Sequence, residues 1–309
     1  MISDGVFEGG GVRGIAHVGA VIAMEENGYK WDRLAGTSAG SIIAALLACG
    51  YSGSELKEII NSLDYKKFIK KNWIHKIPFI GGPLNLWKSK GLYSNCYESE
   101  WLEDLLSQKG IKNFSDLDNG KLKIVVSDIT NGRMAIIPDD LEYYDESLDF
   151  SVAKAVQMSS TIPFFFQPFK WSTKKNRLPC YFVDGGLLSN FPIWIFDSTD
   201  TPKQPTIGFH LVKDEVKAKS ISETGVVELY KSIFRTMMQA HDLRHFNNET
   251  QARTIKIPTG NVTSTKFNLS VEERQWLFNS GYQAATSFLE TWDFNVYKNL
   301  YRNSTVLKN

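Results

Sequence analysis

The stretch that decides the fold is G-T-S-A-G, at residues 36–40. It follows a short predicted strand that ends at Leu34-Ala35, and it begins a run, residues 39–47, that is apolar on nearly every helical face. G-x-S-x-G between a strand and a helix is typical of a nucleophile elbow, a strained turn that exposes the serine hydroxyl. Gly36, Ala39 and Gly40 are small enough for such a turn, and Ser38 is therefore the candidate nucleophile.

A second glycine turn lies upstream, at E-G-G-G-V-R-G, residues 8–14, between another short predicted strand and a predicted helix. Its backbone N–H groups are unshielded by side chains, and a helix begins there, so the turn could hold a phosphate or a carbonyl oxygen that becomes an oxyanion. G-x-G-x-x-G is also the dinucleotide-binding fingerprint, and Asp32 lies near the position of a ribose-binding acid. A tight turn without any ligand is the third interpretation.

The spacing of the two turns favours catalysis. One helix and one strand fit between Gly14 and Gly36, so two adjacent parallel strands would present both turns at the same sheet edge, where α/β proteins form their ligand sites. One turn would offer the nucleophile Ser38. The other would offer oxyanion donors from the residues Gly9, Gly10 and Gly11.

An acid is a better candidate for the base than any of the five histidines. His17 lies among apolar residues and is expected to be a packed core side chain. Asp184 ends the apolar strand Y-F-V-D-G-G at residues 181–186, where Gly185 and Gly186 allow the chain to turn sharply beneath the carboxylate. An Asx turn that merely closes the strand is the structural alternative.

These three motifs, in this order, resemble those of bacterial patatin-like phospholipases. The similarity covers roughly residues 4–212 and includes G-L-Y-S at 91–94, V-V-S-D at 125–128, M-S-S-T-I-P at 158–163 and G-G-L-L-S-N-F-P at 185–192. The resemblance implies an α/β fold, the patatin-like three-layer sandwich, with a mostly parallel central sheet flanked by helices and a helical C-terminal region.

The resemblance also implies a function, that of a lipid acyl hydrolase of the phospholipase A or lysophospholipase type. Ser38 and Asp184 would form a catalytic dyad, the amides of Gly9, Gly10 and Gly11 an oxyanion hole, and Arg13 a brace for that loop. The substrate would be a phospholipid or another acyl-ester lipid, and no metal or other cofactor would be needed. The supporting motif residues are Val12, Arg13, Gly14, Gly36, Thr37, Ala39, Gly40, Gly185 and Gly186.

Strand and helix patterns alternate along the chain, which predicts a mostly parallel sheet. Strands are predicted at 122–126, 181–183 and 207–212, and helices at 98–108, 150–158, 223–247 and 271–301. We therefore expect a catalytic domain at residues 1–215 and a helical C-terminal region at 216–309 that packs on the same domain.

Composition limits the partners and the location. The chain has 309 residues, of which 42% are hydrophobic and 22% charged, and its net charge of +1 argues against a nucleic-acid partner. No apolar run approaches the roughly 20 residues of a membrane span, and the N-terminus lacks the pattern of a signal peptide. Three widely spaced cysteines fit a reducing compartment. A cytoplasmic location is expected.

Aromatic residues make up 13% of the chain, and they favour contact with a membrane surface. Residues 65–76 interleave basic with aromatic side chains, and an apolar, glycine-containing stretch follows at 77–87. Such a segment predicts peripheral membrane association, although a solvated helix followed by a packed loop fits the same pattern. Phe164, Phe165 and Phe166 would either line an acyl-chain pocket or belong to the core.

Three other functions remain open from the sequence. H-D-x-x-H at residues 241–245, with Glu249 or Glu272 as a third ligand, would suit a zinc metalloprotease. The glycine turn alone would suit a nucleotide-binding protein. A lipid-binding protein without turnover would share the apolar features of a lipase.

Overall fold

The computed structural model describes residues 1–63, 90–172, 178–198, 200–213 and 248–299, and the single positions 67, 70, 71 and 236. Its strands form a sheet of eight and a smaller sheet of three. The large sheet contains β1 (Ile2–Phe7), β2 (Lys30–Thr37), β5 (Leu122–Asp128), β6 (Arg133–Ile137), β8 (Phe169–Trp171), β9 (Cys180–Asp184), β10 (Thr206–Val212) and β11 (Thr254–Pro258). The small sheet contains β3 (Lys70–Lys71), β4 (Gly91–Ser94) and β7 (Phe164–Phe166).

The large sheet is mostly parallel, as predicted. Its strand order is β11-β10-β1-β2-β5-β9-β8, with β6 also paired to β5. From β11 to β5 in this order, each strand pairs in parallel with the next. Strands β6 and β9 are antiparallel to β5, and β8 is antiparallel to β9. The strands predicted at 122–126, 181–183 and 207–212 are confirmed as parts of β5, β9 and β10.

Strands β2 and β9 occupy the same edge of β5, one after the other. Thr37, the last residue of β2, pairs with Val125, and Asp184, the last residue of β9, pairs with the adjacent Val126. The opposite edge of β5 is taken by β6. Because β2 is parallel to β5 and β9 is antiparallel to it, the carboxyl ends of β2 and β9 meet at one point.

Both faces of the sheet are buried. Phe7, Leu34 and Ile124 belong to the large apolar cluster that also contains the helices packed on the sheet. Val6, Ala35 and Val125, their neighbours in sequence, point to the other face and pack against residues 191–196. This alternation follows from the two-residue period of a strand and makes the sheet the central layer of the fold.

The described helices are α1 (Ile15–Glu26), α2 (Ala39–Ala48), α3 (Gly53–Ser62), α4 (Cys96–Gln108), α5 (Val152–Ser159), α6 (Asn248–Ala252) and α7 (Val271–Thr291). Helix α2 is buried on almost every side, as its all-round apolar sequence predicts. The predicted helices at 98–108 and 150–158 correspond to α4 and α5. The helix predicted at 223–247 lies outside the described residues except at position 236. Over the part of the chain that is described, no helix has both the length and the apolar content to cross a bilayer.

Helix α7 packs closely on α1. A Cβ added at Gly281 would lie 1.8 Å from the carbonyl oxygen of Ala16, and one added at Gly19 would lie 2.0 Å from that of Phe278. Two glycines therefore allow the helix backbones to approach directly. This packing joins the C-terminal region to the helix layer of the sheet.

The C-terminal region contains helices, as expected, in α6 and α7, but it also contributes a strand that the sequence analysis did not predict. Strand β11 extends the large sheet by pairing in parallel with β10. Its residues Ile255 and Ile257 are fully buried, whereas Lys256 between them is exposed. So short an alternating segment is readily missed between longer helical patterns.

Helix α7 also ends earlier than the predicted limit at Tyr301. Its last residue is Thr291, and the chain leaves the helical conformation at Trp292. Asp293 then accepts hydrogen bonds from the N–H groups of Asn295 and Val296, at 2.6 and 3.1 Å. An aspartate in this role begins a new helical segment, which interrupts the helix expected over the whole span.

Candidate active site

Ser38 lies in a sharp turn between β2 and α2. Its φ and ψ are 52° and −127°, a conformation that side-chain-bearing residues rarely adopt. A Cβ at Gly36 would lie 2.3 Å from the oxygen of Gly40, and a Cβ at Gly40 would lie 2.2 Å from that of Phe7. Glycine at both positions is thus a steric requirement. The turn is a strained strand–helix junction of the kind that presents a nucleophile.

Hydrogen bonds hold the backbone of this turn on both sides. The Ser38 N–H donates to Ser159 Oγ at 2.9 Å, and Ser159 Oγ donates in turn to the carbonyl oxygen of Val125 at 2.6 Å. On the other side, Ser41 Oγ donates to the Ser38 carbonyl oxygen at 2.6 Å. The strained conformation is therefore fixed from both sides.

Asp184 lies directly opposite the serine. Ser38 Oγ donates a hydrogen bond to Asp184 Oδ2 at 2.7 Å, and the N–H of Gly186 donates to Asp184 Oδ1 at 2.8 Å. The meeting of β2 and β9 on one edge of β5 brings these two residues together. A Cβ at Gly185 would lie 2.1 Å from the oxygen of Val125, so the turn after Asp184 passes close beneath the sheet edge.

Burial sets the ionisation of this acid. Asp184 is 3% exposed, and burial raises the pKa of its carboxyl to about 6, against the opposing effect of the hydrogen bonds from Ser38 and Gly186. The carboxylate is therefore ionised at neutral pH and is a stronger base than an ordinary aspartate. Such a group can accept the proton of the serine hydroxyl.

The glycine loop, residues 8–14, borders the turn of Ser38. A Cβ at Gly9 would lie 3.1 Å from Ser38 Cβ, and one at Gly14 would lie 3.2 Å from Ala39 Cβ. The N–H of Gly9 donates to the carbonyl oxygen of Asn190 at 3.0 Å. That donor is already used, so among the described residues only the N–H groups of Gly10 and Gly11 within this triplet have no acceptor.

Two side chains fix the peptide planes of the loop. Asn190 Nδ2 donates to the carbonyl oxygen of Gly9 at 3.3 Å, and Arg13 donates to that of Gly10 from both N and Nε, at 3.2 Å each. In a trans peptide the N–H points opposite to the preceding carbonyl group. Holding these two carbonyls therefore orients the N–H groups of Gly10 and Gly11. Arg13 thus contacts the loop that the sequence predicts it to brace.

A buried carboxylate, Glu8, holds Asn190 in turn. Glu8 Oε1 accepts a hydrogen bond from Asn190 Nδ2 at 2.7 Å, and Glu8 Oε2 contacts His210 Nδ1 at 2.8 Å and the N–H of Leu211 at 2.5 Å. Burial favours the neutral form, but His210, Arg13 and the Leu211 N–H together keep the pKa of Glu8 below its usual value. Glu8 is thus an ionised anchor.

The other motif residues support these two turns. Thr37 Oγ1 donates to the carbonyl oxygen of Ser189 at 3.1 Å, and the N–H of Val12 donates to that of Ser264 at 3.0 Å. Gly11 has a φ of 56°, and a Cβ there would lie 2.1 Å from the same Ser264 oxygen. The loop is consequently packed between Ser38 and the segment that follows β11.

An apolar cavity opens beside Ser38. Glu98 and Ser160 are the polar side chains that share it with the serine. The remaining walls come from the glycine loop, from side chains of α1, α2, α3, α4 and β7, which include Ile15, Ile42, Ile60, Trp101 and Phe166, and from Phe267 between β11 and α7. Of the three phenylalanines at 164–166, Phe166 lines the cavity and is 2% exposed, whereas Phe164 is 46% exposed.

Other candidate residues lie elsewhere. Asp32 is near the start of β2 and accepts a hydrogen bond from Gln204, so it is at the opposite end of the strand from the glycine loop. The acid required by the dinucleotide interpretation is therefore misplaced. His17 is fully buried and donates from Nε2 to the Glu8 carbonyl oxygen at 2.9 Å, and burial lowers its pKa to about 4. It is a neutral core residue, as expected.

Some predictions fall outside the described residues. These are the histidines of H-D-x-x-H at 241–245, His75, and the side chains of the basic-aromatic segment at 65–87 other than Lys67, which is exposed. Within the described ranges, no three His, Cys, Asp or Glu side chains come together as metal ligands. Of the two acids considered as third ligands, Glu272 lies exposed in the first turn of α7.

Three residues of the site have no role that the sequence predicts. Ser159, which holds the Ser38 N–H, and Asn190, which holds Gly9, both lie in stretches that resemble the family, but neither is a chemically obvious catalytic group. Glu98 begins an amphipathic helix and looks like an ordinary first-turn acid. Only the tertiary contacts distinguish these residues from surface polar groups.

Comparison with known proteins identifies relatives of the whole chain. A sequence model of the family described as patatin-like phospholipase matches residues 5–197. The uncharacterised protein YqhO of Bacillus subtilis (strain 168) is 40% identical, over 95% of this chain and 100% of its own. The probable lipid hydrolase 463L of Invertebrate iridescent virus 6 is 25% identical, over 91% of this chain and 87% of its own.

Solved structures share the fold. VipD from Legionella pneumophila superposes with a TM-score of 0.54 at 17% identity, over 94% of this chain and 67% of that one. ExoU, in its complex with SpcU from Pseudomonas aeruginosa, gives a TM-score of 0.51 at 19% identity, over 94% of this chain and 51% of that one. At these identities the similarity concerns the architecture alone.

Proposed function

The chain belongs to the patatin-like phospholipase family, and from this premise we propose that it is a lipid acyl hydrolase, a serine esterase of the phospholipase A or lysophospholipase type. Ser38 is the nucleophile and Asp184 the base. The proposal rests above all on the 2.7 Å hydrogen bond between Ser38 Oγ and Asp184 Oδ2 at the strained turn. The probable lipid hydrolase among the relatives supports the substrate class.

The first half of the reaction transfers the acyl group to the enzyme. Ser38 Oγ attacks the carbonyl carbon of a fatty-acyl ester while its proton passes to Asp184 Oδ2. The tetrahedral intermediate collapses when Asp184 returns that proton to the leaving alcohol oxygen. The acyl group is then bound to Ser38 as an ester.

The second half repeats these steps with water. Asp184 takes a proton from a water molecule, whose oxygen attacks the acyl-enzyme, and then returns the proton to Ser38 Oγ as the fatty acid leaves. The nucleophile and the base are both protein side chains, so the mechanism as written uses no metal or other cofactor.

The oxyanion is bound by the N–H groups of Gly10 and Gly11 in this mechanism. We exclude the N–H of Gly9 because Asn190 already accepts its hydrogen bond. Asn190 and Arg13 would act as positioning residues, since they hold the carbonyl groups that precede the two donors. Each oriented donor typically lowers the barrier by about 3 kcal/mol.

The apolar cavity would bind the acyl chain, since its walls are chiefly hydrocarbon and it opens at Ser38.

Contact with the lipid surface would come from residues 65–87, because their sequence interleaves basic with aromatic side chains and continues as an apolar stretch. Neutralising Lys66, Lys67, Lys70 and Lys71 together is expected to reduce sedimentation with anionic vesicles. Unchanged sedimentation would refute this part of the proposal.

The direct test of the chemistry uses two substitutions. Ser38→Ala and Asp184→Asn are each expected to lower fatty-acid release from phospholipid vesicles by about 10⁴-fold or more. Ser62→Ala, at an exposed serine at the end of α3, is the matched control and should keep full activity. Near-normal activity in either active-site variant would overturn the assignment.

A fluorophosphonate probe separates a hydrolase from a lipid-binding protein without turnover. Labelling of the wild type, lost in Ser38→Ala, is expected for an activated serine. A protein that binds vesicles but is not labelled and releases no fatty acid would instead use the cavity only for binding.

A further inference from the structure

The cavity beside Ser38 contains a carboxyl group that the proposed mechanism does not use. Glu98, in the first turn of α4, is 5% exposed and lines the cavity together with Ser38 and Ser160. A carboxyl group among hydrocarbon walls is costly unless its polar atoms are paired. The way in which Glu98 is paired therefore indicates what the cavity is built to hold.

Within the described residues, the side chain of Glu98 has a single hydrogen-bonding partner, Ser160. Glu98 Oε1 contacts Ser160 Oγ, and that hydroxyl also lies 2.9 Å from the carbonyl oxygen of Val156, one turn back in α5. A hydroxyl has only one hydrogen to donate. If Ser160 donates it to Val156, the proton between Ser160 and Glu98 must come from the carboxyl group.

The ionisation of Glu98 agrees with this arrangement. Burial raises the pKa of its carboxyl to about 8, and the nearby charge of Asp184 adds to the effect, whereas the contact with Ser160 opposes it. No described Lys, Arg or His forms an ion pair with it. Glu98 is therefore a neutral carboxylic acid at neutral pH, and it can share the cavity with hydrocarbon.

The second carboxyl oxygen, Oε2, has no hydrogen bond to the described part of the chain. A protonated carboxyl group that donates through one oxygen retains a carbonyl-like acceptor on the other. The carboxyl group of Glu98 shares one cavity with Ser38, and it is near enough to the dyad for the charge of Asp184 to act on it. A hydrogen-bond donor carried by the substrate near its ester group would complete the pairing.

We propose that Glu98 is a specificity-determining residue that accepts a hydrogen bond from a free hydroxyl group of the acyl lipid near the scissile ester. The inference deepens the proposed function and depends on it. Two kinds of lipid carry such a hydroxyl: a monoacyl lipid on its glycerol, and a hydroxylated fatty acid on its chain. A fully acylated lipid with an unsubstituted chain has none and would leave the Glu98 oxygen unpaired.

The experiment compares two matched pairs of substrates at pH 7. The first pair is a lysophosphatidylcholine and its analogue without the central glycerol hydroxyl. The second pair is the para-nitrophenyl esters of β-hydroxydecanoic and decanoic acids. For each pair, the ratio of kcat/KM between the hydroxylated and the plain member is measured with the wild type, Glu98→Met and Glu98→Gln, and with Glu103→Gln as the control at an exposed acid of the same helix.

The wild type is expected to favour the hydroxylated member of at least one pair by about tenfold, the effect of one buried hydrogen bond. Glu98→Met keeps the length but not the acceptor, so its ratio of kcat/KM between the hydroxylated and the plain member should fall to near one, whatever its rate on the plain member. Glu98→Gln keeps an acceptor oxygen and should retain the preference. Loss of the preference in this variant would contradict the proposal even if the Met variant does not fold. A preference in the first pair alone assigns the hydroxyl to glycerol, and one in the second pair alone assigns it to the acyl chain.

Three further outcomes would overturn the proposal. A wild-type ratio near one in both pairs refutes it without reference to any variant. A ratio unchanged in Glu98→Met shows that another group recognises the hydroxyl. In both cases the plain substrates are still hydrolysed, so the proposed function stands. Absence of hydrolysis of all four substrates would overturn the proposed function, and this proposal with it.

Discussion

The elbow at residues 36–40 and the glycine loop at residues 8–14 are both glycine-rich turns from a strand to a helix, at the same edge of one sheet, yet they are held in different ways. The elbow is constrained mainly by close backbone contacts: a Cβ at Gly36 would meet Gly40 within the turn, and one at Gly40 would meet the carbonyl oxygen of Phe7 at the end of β1. The glycine loop is shaped by groups distant in sequence, notably Asn190 and the Ser264 carbonyl oxygen. Both turns therefore depend on the tertiary fold, the elbow chiefly through backbone contact and the glycine loop chiefly through hydrogen bonds with groups distant in sequence.

The carboxyl groups beside the two turns, Asp184 and Glu8, also differ in the direction of their pKa shifts. Burial raises the pKa of Asp184, which pairs with the neutral hydroxyl of Ser38, to about 6. Glu8, equally buried, stays below its usual pKa because His210 and Arg13 are beside it. The neighbouring Arg13 and His210 keep Glu8 ionised, so that it can hold Asn190 in place. Asp184 pairs instead with a neutral hydroxyl, and it can therefore accept and release a proton.

Breaking the elbow should have the largest effect. Gly40→Ala places a methyl group 2.2 Å from the Phe7 carbonyl oxygen, so the Ser38 turn must move away from the glycine loop. A displacement of about 1 Å is expected to lower kcat/KM by about 10²-fold or more, with a lower Tm. Gly28→Ala is the control, because a methyl group there meets nothing within 4 Å, although its φ of 80° strains an alanine. It should lower Tm but leave kcat/KM unchanged, and a comparable loss of kcat/KM in the two variants would contradict the steric argument.

Loosening the glycine loop should have a smaller and more selective effect. Asn190→Leu keeps the side-chain volume but releases the Gly9 carbonyl group, so we expect kcat to fall by about tenfold or more with little change in KM. The loss should shrink when the ester is replaced by its thionoester, because sulfur depends less on N–H donors. The exposed Asn119→Leu is the control. Equal losses on ester and thionoester would indicate a general structural defect.

The pH profile tests the contrast between the two acids. Asp184 must be ionised to act as a base, so kcat/KM on a soluble ester should fall about tenfold per pH unit below the raised pKa of about 6. Glu8→Gln should lower activity without moving this limb, since Glu8 is ionised throughout. A limb that shifts in Glu8→Gln would assign the titration to the anchor instead of the dyad.

The last prediction concerns the free energy of unfolding and its dependence on pH. The pKa of Asp184 is higher in the folded protein than its ordinary value of 3.8, so raising the pH from about 4 to 6 ionises a group that the fold prefers neutral. Asp184→Asn should therefore raise the free energy of unfolding at pH 8 by about 3 kcal/mol, although it abolishes activity. The gain should vanish below about pH 4. A gain that persists there would have another origin.

Much of the fold follows from the sequence because its signals are local. Alternation of strands with helices predicts the parallel sheet, and the all-round apolar run at 39–47 predicts the buried helix α2. Strand β11 and the early end of α7 were missed. The first is a short edge strand whose pairing with β10 is a tertiary contact, and the second depends on a single capping residue, Asp293.

For the candidate site, the sequence by itself determined the chemical groups: a serine in a turn that only small neighbours permit, an acid at a strand end, and a glycine loop. The tertiary structure decided their pairing. The meeting of β2 and β9 on one edge of β5 brings Asp184 to Ser38, and Asn190 orients the peptide of Gly9. The physical reason is range: backbone sterics act between neighbours along the chain, whereas sheet register, burial and side-chain hydrogen bonds join residues far apart in sequence.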